Sequence, residues 1–207
     1  MLDVENGIKK FKSFALDGNN IALDFVNTVE YRGTKKEIEW IESYLDALCW
    51  AERSSILAKE DVIRLFEANN DECQKFYEDI IVCRKTLHDV FSAVIEDGML
   101  NKLGLDLFNK LYKLVHRVLT EGAGGNNYVW LFPDAQTTAV GFLQPVIQAS
   151  ADLLLSSNLS RLKRCSNAEC GWLYYDTSKN NSRRWCCMSS CGNRAKASNF
   201  YKRHNKK

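Results

Sequence analysis

Five cysteines fall within 27 residues, and four of them form two equally spaced pairs, Cys165-x4-Cys170 and Cys186-x4-Cys191, with fifteen residues between the pairs. Zinc takes four ligands in a tetrahedron, and structural sites commonly draw them as two close pairs from separate chain segments. A short loop can set two sulfurs about 3.7 Å apart, as metal–sulfur bonds of about 2.3 Å require. The spacing therefore points to one structural Zn2+ held by Cys165, Cys170, Cys186 and Cys191. Cys187 competes with Cys186 for the third position, since it would leave three intervening residues in the second pair. Unligated thiols and a redox or disulfide role are the rival readings. Residues 1–5 show no basic stretch leading into an apolar core, so a secretory leader is not expected and metal is favoured over disulfides.

The charge pattern gives the cluster a setting. Residues 161–207 hold twelve Lys or Arg against Glu169 and Asp176, a balance of +10, while the preceding 160 residues balance at −8. Four thiolates around one dication add −2 and leave the tail near +8. Such segregation suits a polyanion partner. The tail is too poor in aliphatic residues for a core of its own, so metal binding is expected to supply its folding free energy, on the order of 10 kcal/mol. Trp172–Tyr175 reads as one strand, Asp176–Ser182 as a turn, and Arg183–Trp185 as the returning strand. A helix is expected after Cys191, capped by Ser189 or Ser190, with a thiolate favoured in its first turn. Knuckle, hairpin and ligand-bearing helix together make a treble-clef arrangement.

The elements that must carry this module are mainly helical. Apolar residues recur at helical spacing over residues 20–31, 37–52, 59–69, 71–97 and 101–120, and Gly98 supplies a stop after the longest. Gly122–Asn127 is a turn, and residues 128–132 and 137–142 read as two short strands joined at Pro133-Asp134. Residues 143–157 return to helix. The fold class is mainly α (α+β): a multi-helix N-terminal domain with a small β-hairpin over 1–157, then a treble-clef-like finger over 161–207. Cys49, Cys73 and Cys83 lie singly in helical patterns and read as small buried hydrophobes.

Cys186-x4-Cys191-Gly192-Asn193-Arg194, preceded by Arg183-Arg184-Trp185, resembles the CGNR zinc finger of bacterial transcription regulators. Cys165-x4-Cys170-Gly171-Trp172 and Asp176 match it as well. In that family the cysteine directly after Trp is the ligand, which implies Cys186; Cys187 departs from the small polar residue usual there. Leu23-Asp24-Phe25-Val26-Asn27-Thr28, after a turn containing Gly18, resembles the ABATE domain that usually precedes this finger. The resemblance implies a stress-linked transcription regulator.

The leading functional expectation is DNA binding by the finger. Arg183, Arg184, Arg194, Lys196, Lys202 and Arg203 would neutralise phosphates, joined by Lys206 and Lys207, with Arg184, Lys196 or Asn199 placed to reach base edges. Arg194 has a rival role, pairing with Asp176 or bracing the knuckle. RNA, with Trp172, Tyr174, Tyr175, Phe200 and Tyr201 as stacking surfaces, and an acidic protein partner are the alternatives. A homodimer through the helical domain is expected because specific recognition commonly uses two half-sites. Asp24, Asn27 and Thr28 are polar on an apolar segment; they either line a ligand pocket or hydrogen-bond neighbouring elements.

Enzyme chemistry is not expected. There is no metalloprotease helix motif, nucleophile elbow or phosphate loop, and His88, His116 and His204 stand apart from one another. Four cysteine ligands leave zinc no open position for water. No apolar run reaches membrane-spanning length, and the protein reads as cytoplasmic.

Overall fold

The computed structural model describes residues 2–123 and 127–204. Its N-terminal part is helical, with helices α1 (Leu2–Phe11), α2 (Ile21–Val26), α3 (Tyr44–Arg53), α4 (Lys59–Ala68), α5 (Cys73–Asp97), α6 (Lys102–Tyr112) and α7 (Leu143–Leu154). Two antiparallel hairpins join them: β1 (Val29–Glu30) with β2 (Ile38–Glu39), and β3 (Val118–Glu121) with β4 (Tyr128–Leu131). A third, β5 (Leu162–Arg164) with β6 (Leu173–Tyr175), opens the C-terminal module, which ends in α8 (Asn193–His204). No helix among the described residues is long and apolar enough to cross a membrane.

The longest helix forms where the spacing places it. Ile80, Cys83, Leu87, Val90, Phe91 and Val94 of α5 are all buried, and α5 stops at Gly98, whose φ of 78° is the left-handed cap that a side chain would resist. Cys49 and Cys83 are buried as small hydrophobes, with Cys73 half-buried. Helix α1 was not signalled by the patterns above; its Val4 and Phe11 pack into the same core.

Four boundaries differ from the periodicity, each for a tertiary reason. Residues 37–43 are not helical: Ile38 and Glu39 pair with β1, and Ser43 caps α3 by accepting from the Asp46 N–H at 3.1 Å. The segment 20–31 stops its helix at Val26 and enters β1 at Val29. The helix expected to reach Thr120 ends at Tyr112, because Val118–Glu121 pair with β4 in full register, Val118 opposite Leu131 and Glu121 opposite Tyr128. That pairing takes the partner expected of 137–142, which instead forms successive turns: Thr137 and Thr138 N–H both donate to the Asp134 carbonyl, at 3.2 and 3.1 Å. Of the 122–127 turn, residues 124–126 lie outside the described residues, and Gly122 N–H donates to Asn127 C=O across it at 2.8 Å.

One core runs from the helices into the finger. Phe25 meets Trp50 at 4.9 Å between ring centroids, and Phe14 meets Trp172 of the finger at 5.9 Å. Leu173 and Tyr174 of β6 are fully buried in it. Each large apolar side chain so buried stabilises the fold by roughly 1.5–3 kcal/mol. A part-buried ion pair ties the elements beneath: Arg84 Nη1 of α5 reaches Glu39 Oε1 at 2.6 Å and Thr28 Oγ1 at 2.8 Å.

Candidate metal centre

The Sγ atoms of Cys165, Cys170, Cys186 and Cys191 all lie within 4.8 Å of one another, and all four residues are buried. Cys170 and Cys186 Sγ are 3.6 Å apart, close to the edge of a tetrahedron with bonds of about 2.3 Å. Donor type, number and separation fit zinc, and the protein has one zinc site here. Cys187 stands outside the cluster, half-buried, with its Sγ 2.9 Å from Ser189 Oγ.

Local backbone bonds set the sulfurs. Cys165 N–H donates to Trp172 C=O at 2.8 Å, closing the β5–β6 hairpin into the first knuckle, and Cys170 N–H donates to Asn167 C=O at 2.9 Å. Gly171 follows at φ 73°, and a Cβ there would meet Arg32 at 3.4 Å. The position therefore takes glycine, because the chain must reverse left-handed against α2's neighbour segment. On the other side, Met188–Gly192 form a wide helical turn begun by Cys187, not Ser189 or Ser190, and α8 continues from it.

Donors surround the cluster. Cys186 N–H and Asn167 Nδ2 reach Cys165 Sγ and Cys191 Sγ at 3.4 and 3.5 Å, and Arg194 reaches Cys191 Sγ at 3.6 Å. These offset the net negative charge of four thiolates on one dication.

The expected return strand at 183–185 is absent as a strand; β5 fills that place beside β6. Residues 183–185 still cross beside the hairpin: Ser166 N–H donates to Arg184 C=O at 2.8 Å and Tyr174 OH to Arg183 C=O at 2.7 Å. Asp176 is fully buried and accepts from Lys163 Nζ, Ser178 N–H and Arg183 N–H at 2.7, 2.8 and 2.8 Å. Burial opposes its ionisation, yet those donors hold the carboxyl far below its usual range.

The basic residues separate by role. Arg183 donates to Asp17, Trp185 and Cys186 carbonyls and stacks over Tyr174 at 4.4 Å, so it is a girder of the module. Arg194 braces the knuckle against the helical part, donating to Tyr31 OH at 2.7 Å; it does not pair with Asp176. Arg184 and Lys196 are exposed. The side chains of Asn199, Lys202 and Arg203, and all of Lys206 and Lys207, lie outside the described residues. Of the aromatics, Trp172 and Tyr174 are buried and Tyr175 half-buried, while Phe200 and Tyr201 are exposed on α8.

Asp24, Asn27 and Thr28 all make internal hydrogen bonds. Asp24 accepts from Gly18 N–H at 2.8 Å, Thr28 Oγ1 donates to Phe25 C=O at 2.8 Å, and Asn27 bonds β6 of the finger. The contacts that dock the finger were not singled out from sequence: Tyr175 N–H to Gly18 C=O at 2.8 Å, Tyr31 N–H to Cys170 C=O at 3.2 Å, and Arg164 to Glu96 at 2.8 Å. Each joins residues more than sixty positions apart, a distance at which local pattern carries no signal.

Comparison with known families gives two matches. The CGNR zinc finger profile matches residues 161–204 and the ABATE profile matches residues 19–157. No curated protein matches the chain. The ABATE match covers well over half the chain, so this protein belongs to the ABATE family, described as "putative stress-induced transcription regulator", with a CGNR zinc finger at its C-terminus.

Proposed function

We propose that this protein binds DNA as a transcription regulator, its zinc finger contacting the duplex and its helical part pairing two copies and regulating the finger. The four cysteines named above hold the metal in this reading. The family supports the regulatory role; charge placement supports the contact surface. After Asp176 the chain carries nine Lys or Arg and no acid. Four of them, Arg194, Lys196, Lys202 and Arg203, fall on α8, the helix that starts directly after the last cysteine. Arg184 and Lys196 have no carboxylate within ion-pair distance among the described residues, so their charge is available to phosphates.

Pairing of two copies is supported by the α6 and β3–β4 surface. Leu103, Leu119, Tyr128 and Trp130 are 67, 60, 70 and 48% exposed. An isolated two-stranded hairpin with both edges open is marginal in water, and a second copy placed across a twofold axis would extend and cover it. Light scattering of the zinc-loaded protein at micromolar concentration checks this; a monomer at all concentrations rules it out.

The main test is a salt-dependent titration of duplex DNA with zinc-loaded and chelated protein. Binding is expected to need zinc and to weaken steeply with salt. Arg184→Ala is expected to lower the salt slope by about one, whereas Arg183→Ala should lower stability and loosen the metal. Displacement of duplex by equal RNA would move the reading to RNA, and zinc-loaded protein that binds no nucleic acid would move it to an acidic protein partner.

A further inference from the structure

Where the finger meets the helical part, the end of α5, Leu159–Ser160, β5 and Arg183–Arg184 line an open cleft of about 730 Å³. Its floor is apolar, made by Val94, Ile95, Leu159 and Leu162, and its rim carries Lys163, Arg164, Arg183 and Arg184. That size and that mixture of apolar surface with a few convergent polar groups suit a small molecule.

Two of the four cations are committed elsewhere. Lys163 Nζ is held by Asp176 and by Asn181 C=O, both at 2.7 Å, and Arg183 by three carbonyls. The other two are less firmly committed. Arg184 lies over Trp185, 5.4 Å from its ring centroid, with no carboxylate partner among the described residues. Arg164 is held by Glu96 at 2.8 Å in a pair whose side chains are 39 and 63% exposed. An ion pair so open to water contributes little, and a better-placed anion can replace it. Both are arginines, whose planar fork binds a carboxylate or phosphate through two parallel bonds.

From the end of α5 the cleft takes Val94, Ile95 and Gly98, and no carboxylate lines it. Glu96 reaches its edge only through the pair with Arg164, which an incoming anionic head would displace.

We propose that this cleft binds a small organic anion, its carboxylate or phosphate head held by Arg164 and Arg184 and its apolar body laid against Val94, Ile95, Leu159 and Leu162. The site shares Arg184 with the DNA-contact surface proposed above, so its test is made without nucleic acid, and its failure leaves the DNA reading to the salt titration. Because its walls come from both α5 and the finger, its occupant bridges the two and bears on how the finger is held.

Fluorescence titration of the zinc-loaded chain with anilinonaphthalene sulfonate tests this, beside uncharged phenylnaphthylamine, which has nearly the same body. Arg164→Ala and Arg184→Ala are each expected to weaken the anionic probe about tenfold and leave the neutral one unchanged. Glu96→Gln, which frees Arg164 at an exposed position, should tighten the anionic probe several-fold and keeps the test readable if an arginine variant loses zinc. Displacement by benzoate or by phenyl phosphate distinguishes the two head groups. Unchanged anionic-probe affinity in Arg164→Ala/Arg184→Ala with zinc retained, no tightening in Glu96→Gln, or no displacement by either competitor would overturn the proposal.

Discussion

Asn27 binds both main-chain groups of Leu173, 146 residues away: its Oδ1 accepts from Leu173 N–H and its Nδ2 donates to Leu173 C=O, each at 2.8 Å. The amide side chain acts as a short strand edge for β6, and both residues are buried. This pair fixes the finger's hairpin to the end of α2.

Asn27→Ala leaves two buried backbone groups of Leu173 unsatisfied and should destabilise the protein by roughly 2–4 kcal/mol. Asn27→Asp should be no better, since it loses the donor and buries a charge. Denaturant unfolding checks both variants. A stability change within about 0.5 kcal/mol would mean that water replaces the amide at this junction.

Cys165→Ser or Cys191→Ser should abolish stoichiometric zinc, while Cys187→Ser should keep it, because its sulfur points to Ser189 and not into the cluster. Metal loss should also disturb the Phe14–Trp172 contact and so change tryptophan emission, with the helical far-ultraviolet signal largely kept. Zinc assay with emission spectra decides the matter; retained zinc in both ligand variants would refute the assignment.

Burial pushes the Asp24 carboxyl up to about 7 from 3.8, against the stabilising Gly18 N–H. The folded protein then binds more protons than the unfolded chain between those two values, so stability falls as pH rises through that window. Asp24→Asn keeps an acceptor for Gly18 and removes the titration. Relative to the variant, the wild type should lose stability on the order of a few kcal/mol from about pH 4 to about pH 8. Parallel stability–pH curves for the two proteins would show that Asp24 is ionised without cost.

Amino-acid order alone determined the features set by short-range spacing. The x4 pairs specify a metal cluster because four sulfurs and a tetrahedral ion leave few arrangements of short loops. The α5 periodicity with Gly98 specifies a long helix and its stop, since both act within a turn or two of the chain. The CGNR and Leu23–Thr28 stretches carried the family. What tertiary structure decided was every choice between locally equivalent options. Val118–Glu121 continues a helical pattern yet pairs with β4, and Ile38-Glu39 does the same with β1, because cross-strand partners outweigh propensity. Cys186 and Cys187 are adjacent and chemically identical; the resemblance favoured Cys186, and the fold brings its sulfur into the cluster while leaving that of Cys187 outside. Arg183 and Arg184 look alike as a basic pair, but the carbonyls of Asp17, Trp185 and Cys186 converge on one and leave the other exposed. Contacts between residues so distant in sequence depend on the docking of finger on helices, and no local period records that docking.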